Sequence, residues 1–169
     1  MKSKMNIKLE LSENERKSLR TNKIKKSDIL EYASDEIAVL LNVSEVRAKE
    51  IYALANFQQI PSIGIEFAKD LIFLGYYSIE ELIGKNGAEL TDHYEKKKGY
   101  KTDPCVEDQF RLAVDFAANK NYSKNWWNFT HERKEFRNQF GYPTDRPEKN
   151  WTEVLNVGIR VRASLDLTI

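Results

Sequence analysis

Two helix-periodic segments meet at a short non-helical break, and that break limits the fold more than any other stretch. Ala48, Ile51, Tyr52, Leu54 and Ala55 recur at the spacing of one helix face, and Phe67, Ala68, Leu71, Ile72 and Leu74 resume it up to Gly75. Between them stands Ile60-Pro61-Ser62-Ile63-Gly64. Pro61 lacks an N–H and disfavours helix at the residue before it, while Gly64 is free to take the positive φ of a tight reversal. Helix, short turn and helix in this order make a helix-hairpin-helix. The amides of the turn and of the next helix's first residues have no intrahelical acceptor, so Ser62, Ile63, Gly64 and Ile65 are candidate phosphate contacts. The competing reading of the same residues is a corner that only packs the core.

Local signals place the remaining elements. Residues 5–11 alternate apolar and polar with period two, which predicts a strand within an N-terminal segment 1–11. Ser12 and Glu15 form a capping box, so a helix is expected from there to about Thr21. Short helices at 28–32 and 35–41 follow, each after a serine. Asn42 tolerates the left-handed conformation and Ser44 can cap the next helix, which makes Asn42, Val43 and Ser44 a second candidate turn. Ser78 is a cap for a helix over 79–83, and another helix is expected over 88–97. Asp103-Pro104 is an N-cap followed by proline at the first helical position. Thr130 is the expected cap of a charged last helix to about Asn138.

The order of parts recurs after roughly 50–60 residues: helix, short helix, helix, turn, helix. Two units follow, 12–58 and 59–140, the second with a Trp-rich C-terminal helix. Pro143 and Pro147 mark 141–150 as a linker. The segment 151–169 is expected to be a C-terminal strand, with clean alternation from Val157 to Ile169. A lone strand cannot satisfy its backbone, so pairing of 157–169 with 5–11, within one chain or between two copies as a homodimer, is the expectation. The fold class is therefore mainly α: tandem helix-hairpin-helix units with a short terminal β-ribbon.

Charge and composition bound the chemistry. The net charge is +1, yet Arg16, Lys17, Arg20, Lys23, Lys25 and Lys26 crowd one window. Lys23, Lys25 and Lys26 are the candidates to add positive charge beside a phosphate. The start lacks the apolar core of a secretion signal and no run is long enough to span a bilayer, so a cytoplasmic location without a membrane partner is expected. One cysteine and two histidines are too few for a zinc site built from such ligands. Cys105 near a helix start invites a thiol nucleophile, with His93 or His131 as base and Asp92 or Glu132 as orienter. Nothing in the spacing gathers them, and no catalytic residue, cofactor or metal is expected. Asp92, Glu95, Glu107 and Asp108 read as solvated helix faces, and Arg133, Lys134 and Arg137 as a basic face of the last helix. Trp126, Trp127 and Phe129 read as a cluster closing the core.

Three runs together resemble a known family: Ile60 to Leu82 around Ile60-Pro61-Ser62-Ile63-Gly64 and Leu74-Gly75-Tyr76-Tyr77-Ser78, then Asp103 to Arg111, then Trp126 to Lys134. They are similar to the bacterial pathogenicity-locus family of helix-hairpin-helix proteins, whose members often carry a mitomycin-resistance label. The resemblance covers about residues 12–137 and implies an all-helical tandem fold and contact with DNA. The first unit also resembles the DNA-contacting C-terminal domain of the bacterial RNA polymerase alpha subunit. Two positions depart from turns that grip DNA: Ser62 stands where glycine is usual, and Glu66 where a lysine or arginine is. The expected function is non-enzymatic, largely sequence-independent binding of DNA, or else RNA, through backbone–phosphate contacts. The alternative is a protein-interaction module that uses the terminal strands or the Trp126/Trp127 surface.

Overall fold

The structure is a computed structural model that describes residues 6–155. Among these the chain is mainly helical, and seven α-helices lie before residue 141: α1 Glu13–Thr21, α2 Ser34–Leu41, α3 Glu45–Phe57, α4 Ile65–Phe73, α5 Gly87–Lys98, α6 Pro104–Asn119 and α7 Thr130–Phe140. Three 3-10 turns, Lys26–Glu31, Ile79–Leu82 and Trp126–Phe129, sit between them. The helix starts lie where cap chemistry places them. Ser12 accepts the Glu15 N–H while the Glu15 carboxylate accepts the Ser12 N–H, Ser44 accepts the Arg47 N–H, and Asp103 accepts the Cys105 N–H. Thr130 departs from its expected role. It is the first residue of α7, and its hydroxyl donates to Asp108 instead.

Two helix ends share one pattern of backbone hydrogen bonds. At the end of α1 the N–H groups of Asn22, Lys23 and Ile24 donate to Ser18, Arg20 and Leu19. At the end of α4, 52 residues on, those of Leu74, Gly75 and Tyr76 donate to Asp70, Ile72 and Leu71. The left-handed residue of the motif is Lys23 in the first case and Gly75 in the second. Both α2 and α5 also end on a left-handed residue, Asn42 and Gly99, before a side-chain-capped helix. One core joins the two halves: Ile29, Ile37, Ile51, Phe57, Leu71, Leu82, Phe110 and Phe116 are almost wholly buried. Phe67 meets Phe110 edge-on, with centroids 4.8 Å apart. Asn56, buried in α3, accepts the Ile79 N–H at 2.8 Å and ties the halves together. At Gly87 the crossing of α5 over α6 is closest: a Cβ there would stand 2.8 Å from the Arg111 Cα.

The terminal β-ribbon needs correction where the structure describes it. Residues 6–11 are extended, with Ile7, Leu9 and Leu11 buried and the polar residues out, yet they belong to no strand. Side chains of α3 and its cap substitute for a ladder. Gln58 accepts the Lys8 N–H and donates to the Lys8 carbonyl, and Arg47 donates to the Glu10 carbonyl. Residues 151–155 are helical, against the expected strand over 151–169, because Asn150 and Glu153 cap each other's neighbourhood as a helix start. Residues 1–5 and 156–169, and with them the proposed pairing of 157–169, lie outside the described residues. The segment 141–150, read as a linker, is docked on the body. Arg146 binds the buried Glu95 at 2.6 Å, and Lys101 pairs through its backbone with Lys149 and Trp151.

Candidate nucleic-acid interface

The turn between α3 and α4 is closed by the Ile63 N–H on the Ile60 carbonyl at 3.2 Å. With Pro61 second in this four-residue turn, the positive φ of a type II turn falls on the third position. That position is Ser62, at φ +59°, whereas Gly64 has φ −102° and ψ −176°. The expected left-handed glycine is thus a left-handed serine. A Cβ on Gly64 would meet nothing within 4 Å. Left-handed serine costs on the order of 1–2 kcal/mol, and a tertiary contact holds it in place: the Trp126 N–H donates to the Ser62 Oγ at 3.0 Å. Ile60 and Ile63 are buried and anchor the turn from below.

Among the described residues, no acceptor meets the N–H groups of Gly64, Ile65, Glu66 or Phe67. These amides open onto a cleft of about 430 Å³ that Lys8, Gln58 and Gln109 also line. The carboxylate of Glu66 is not left bare at its mouth. Lys69 stands 3.1 Å from Glu66 and 2.9 Å from Glu10, and these carboxylates, Glu10 foremost, hold the Lys69 ammonium above its usual range. Lys69 is shared by both carboxylates, so the three groups together keep one net negative charge near the turn and only part of the Glu66 repulsion is offset.

The second turn is built as expected. Asn42 is left-handed at φ 53°, Val43 is half-buried, and Ser44 caps α3. The Asn22 amide donates to the Leu40 carbonyl at 3.1 Å, which draws the end of α1, and Lys23 with it, up to this turn. Lys23, Lys25 and Lys26 are all exposed. The two turns themselves are apart: Asn42–Ser44 lies at the start of α3 and Ser62–Ile65 beyond its end. Thirteen residues of helix separate them, which is about 20 Å of axis.

The acidic residues read as solvated faces are paired, with Glu95, Glu107 and Asp108 buried and Asp92 half-buried. Asp108, with no exposed surface, accepts Arg133 at 2.7 Å and the Thr130 hydroxyl at 2.8 Å. Glu107 binds Arg111 and Arg137, and Arg137 also holds Asp92 at 2.8 Å. Arg133 and Arg137 are consequently clamps of α7 onto α5 and α6, and offer little free charge. No helix among the described residues is long and apolar enough to cross a membrane, and none of their side-chain clusters has the make-up of a metal site. Cys105 is exposed, and its thiol is pushed up by desolvation and then by Asp103, the opposite of activation. The orienters paired with it in sequence are engaged elsewhere, Asp92 by Arg137 and Glu132 by Arg111. Trp126 packs against the core, while Trp127 remains 53% exposed.

The sequence model of the family described as Cdd1, pathogenicity locus, matches residues 50–135. That span runs from α3 to the middle of α7 and contains the Ser62 turn. No curated protein and no solved structure matches the chain at a significant level.

Proposed function

This chain belongs to the pathogenicity-locus family, and on that premise we propose that it binds nucleic acid, chiefly DNA, through backbone–phosphate contacts and without chemistry. The α2–α3 and α3–α4 pairs act as helix-hairpin-helix elements, with α3 common to both. The observation that carries the reading is the run of unpartnered amides from Gly64 to Phe67 facing an open cleft. Oriented N–H groups at a helix start favour an anion, and phosphate contacts position a protein without reading sequence. Lys23, Lys25 and Lys26 supply charge at the Asn42–Ser44 turn. Phosphate sites about 20 Å apart fit roughly six steps along one strand, at about 3.4 Å per step.

Fluorescence anisotropy with a labelled duplex tests this. Three or so phosphate contacts predict that log K falls against log salt with a slope of about −3. Gly64→Ala has room and an ordinary φ, so it leaves affinity unchanged. Gly64→Asp puts a negative charge among the amides and weakens binding. No binding at low salt, or equal behaviour of the two variants, refutes the proposal. The exposed Trp127 favours a second reading, a protein-docking surface. It predicts that Trp127→Ala abolishes partner capture and leaves the duplex titration unchanged.

A further inference from the structure

A second cleft, of about 230 Å³, lies between the two halves and is separate from the turns. It is lined by Tyr32, Ser34, Lys49, Tyr52, Tyr77 and Ser78, with Glu81 at its edge. Lys49 and Tyr52 come from one face of α3, three residues apart. Tyr32 and Ser34 come from the entry to α2, and Tyr77 and Ser78 from the loop after α4. Five hydroxyls thus converge on one cleft. The five residues are partly exposed and none of their hydroxyls has a protein hydrogen-bond partner among the described residues, which leaves them open to a ligand. Lys49 sits 5.3 Å from the centre of the Tyr77 ring and makes no ion pair among the described residues. Glu81 is oriented by accepting the Tyr77 N–H at 3.2 Å.

We propose that this tyrosine cleft binds one nucleotide unit, its base against the phenol faces and its phosphate on Lys49 and the hydroxyls. A neutral sugar would use the hydroxyls and leave the Lys49 charge unanswered. An aliphatic anion would answer Lys49 and leave three aromatic faces without a planar partner. The cleft is smaller than pockets that hold drug-sized cofactors, so one nucleotide unit rather than a dinucleotide is the scale it fits. Base–aromatic stacking is tolerant of base identity, so all four nucleotides bind. Glu81, an acceptor only, can take an N–H from any of the four bases. The unit is either a free mononucleotide or one residue of a strand. The inference goes beyond the turn-mediated reading and does not depend on it.

The test is titration calorimetry of the full chain with the four 5′-monophosphates, their nucleosides and a single-stranded hexanucleotide. Tyr52→Leu and Tyr77→Leu are expected to weaken binding by about 5- to 150-fold, the range that loss of one base stack gives. Lys49→Gln is expected to weaken the monophosphates and leave the nucleosides unchanged. Tyr77→Phe, which keeps the ring and its packing, should retain most of the affinity, so that loss in Tyr77→Leu with retention in Tyr77→Phe supports stacking. If Tyr77→Leu does not fold, Lys49→Gln and Tyr52→Leu decide: unchanged monophosphate affinity in both overturns the proposal. Tyrosine-dependent binding of monophosphates identifies a free nucleotide as the source. Tyrosine-dependent binding of the hexamer alone identifies a strand. Absence of binding by monophosphates and hexamer overturns the proposal. So does hexamer binding that ignores the tyrosines, which leaves the turn-mediated reading standing.

Discussion

Replacing Arg133 by methionine should expose how much of this fold depends on a single buried ion pair. Asp108 has no solvent-exposed surface and is held by three contacts: the Arg133 Nε at 2.7 Å, its second guanidinium nitrogen at 3.4 Å, and the Thr130 hydroxyl at 2.8 Å. Methionine keeps most of the apolar stem of the side chain but removes both guanidinium donors. A carboxylate is then left buried with one hydroxyl donor, a situation that costs about 3–5 kcal/mol. For a chain of this size each kcal/mol moves the melting temperature by about 2–4 °C, so a fall of roughly 6–20 °C is expected. Thermal and urea unfolding followed by circular dichroism at neutral pH measure it. The reasoning makes a second demand. Adding Asp108→Leu to Arg133→Met removes the stranded charge, and most of the loss should return even though the ion pair stays absent. A single variant that loses less than about 1 kcal/mol, or a double variant no better than the single, would show that the pair is not what pins α7 to α6.

Two further predictions concern other parts of the molecule. The Arg47 guanidinium, 2.8 Å away, holds the Glu15 carboxyl below its usual range despite burial. A depressed folded-state pKa contributes stability that is complete above the unfolded value of about 4.5 and is lost as pH falls through the folded one. Melting temperature against pH should therefore drop more gently on acidification in Glu15→Gln than in the parent chain, from a lower plateau at neutral pH; equal slopes would remove the assigned role. Gly87→Ala should destabilise by about 1–3 kcal/mol, because its Cβ would meet Arg111 backbone atoms at 2.8 and 2.9 Å and force α5 away from α6. An unchanged urea midpoint would mean that the crossing yields freely.

Much of the fold was legible in residue order because its cues act over a few positions. The Ser12/Glu15 box, left-handed Asn42 with Ser44, and Asp103-Pro104 each satisfy amides within three or four residues, and all three stand where the spacing put them. The ends of α1 and α4 are local in the same way: Lys23 and Gly75 follow them with the same pattern of backbone bonds. The turn at 60–64 was only half readable. Its existence followed from Pro61, but the positive φ expected at Gly64 falls on Ser62. That a serine occupies it depends on the Trp126 N–H arriving from 64 residues away.

Interior charge and site geometry belonged to the tertiary structure alone. Glu95, Glu107 and Asp108 look like solvent-facing carboxylates in sequence, because whether a charge is buried depends on a partner brought from another helix. Arg146, Arg137 and Arg133 arrive across separations of 51, 30 and 25 residues. The same holds for the period-two stretch at 6–11. Alternation correctly marked which side chains face inward, but the groups that bond its backbone, Gln58 and Arg47, are side chains of or beside α3. Local hydrogen bonds and periodicity are properties of neighbouring residues and can be read in order. Burial of charge, the 20 Å between the two turns and the meeting of Tyr32, Tyr52 and Tyr77 in one cleft exist only once the helices have packed.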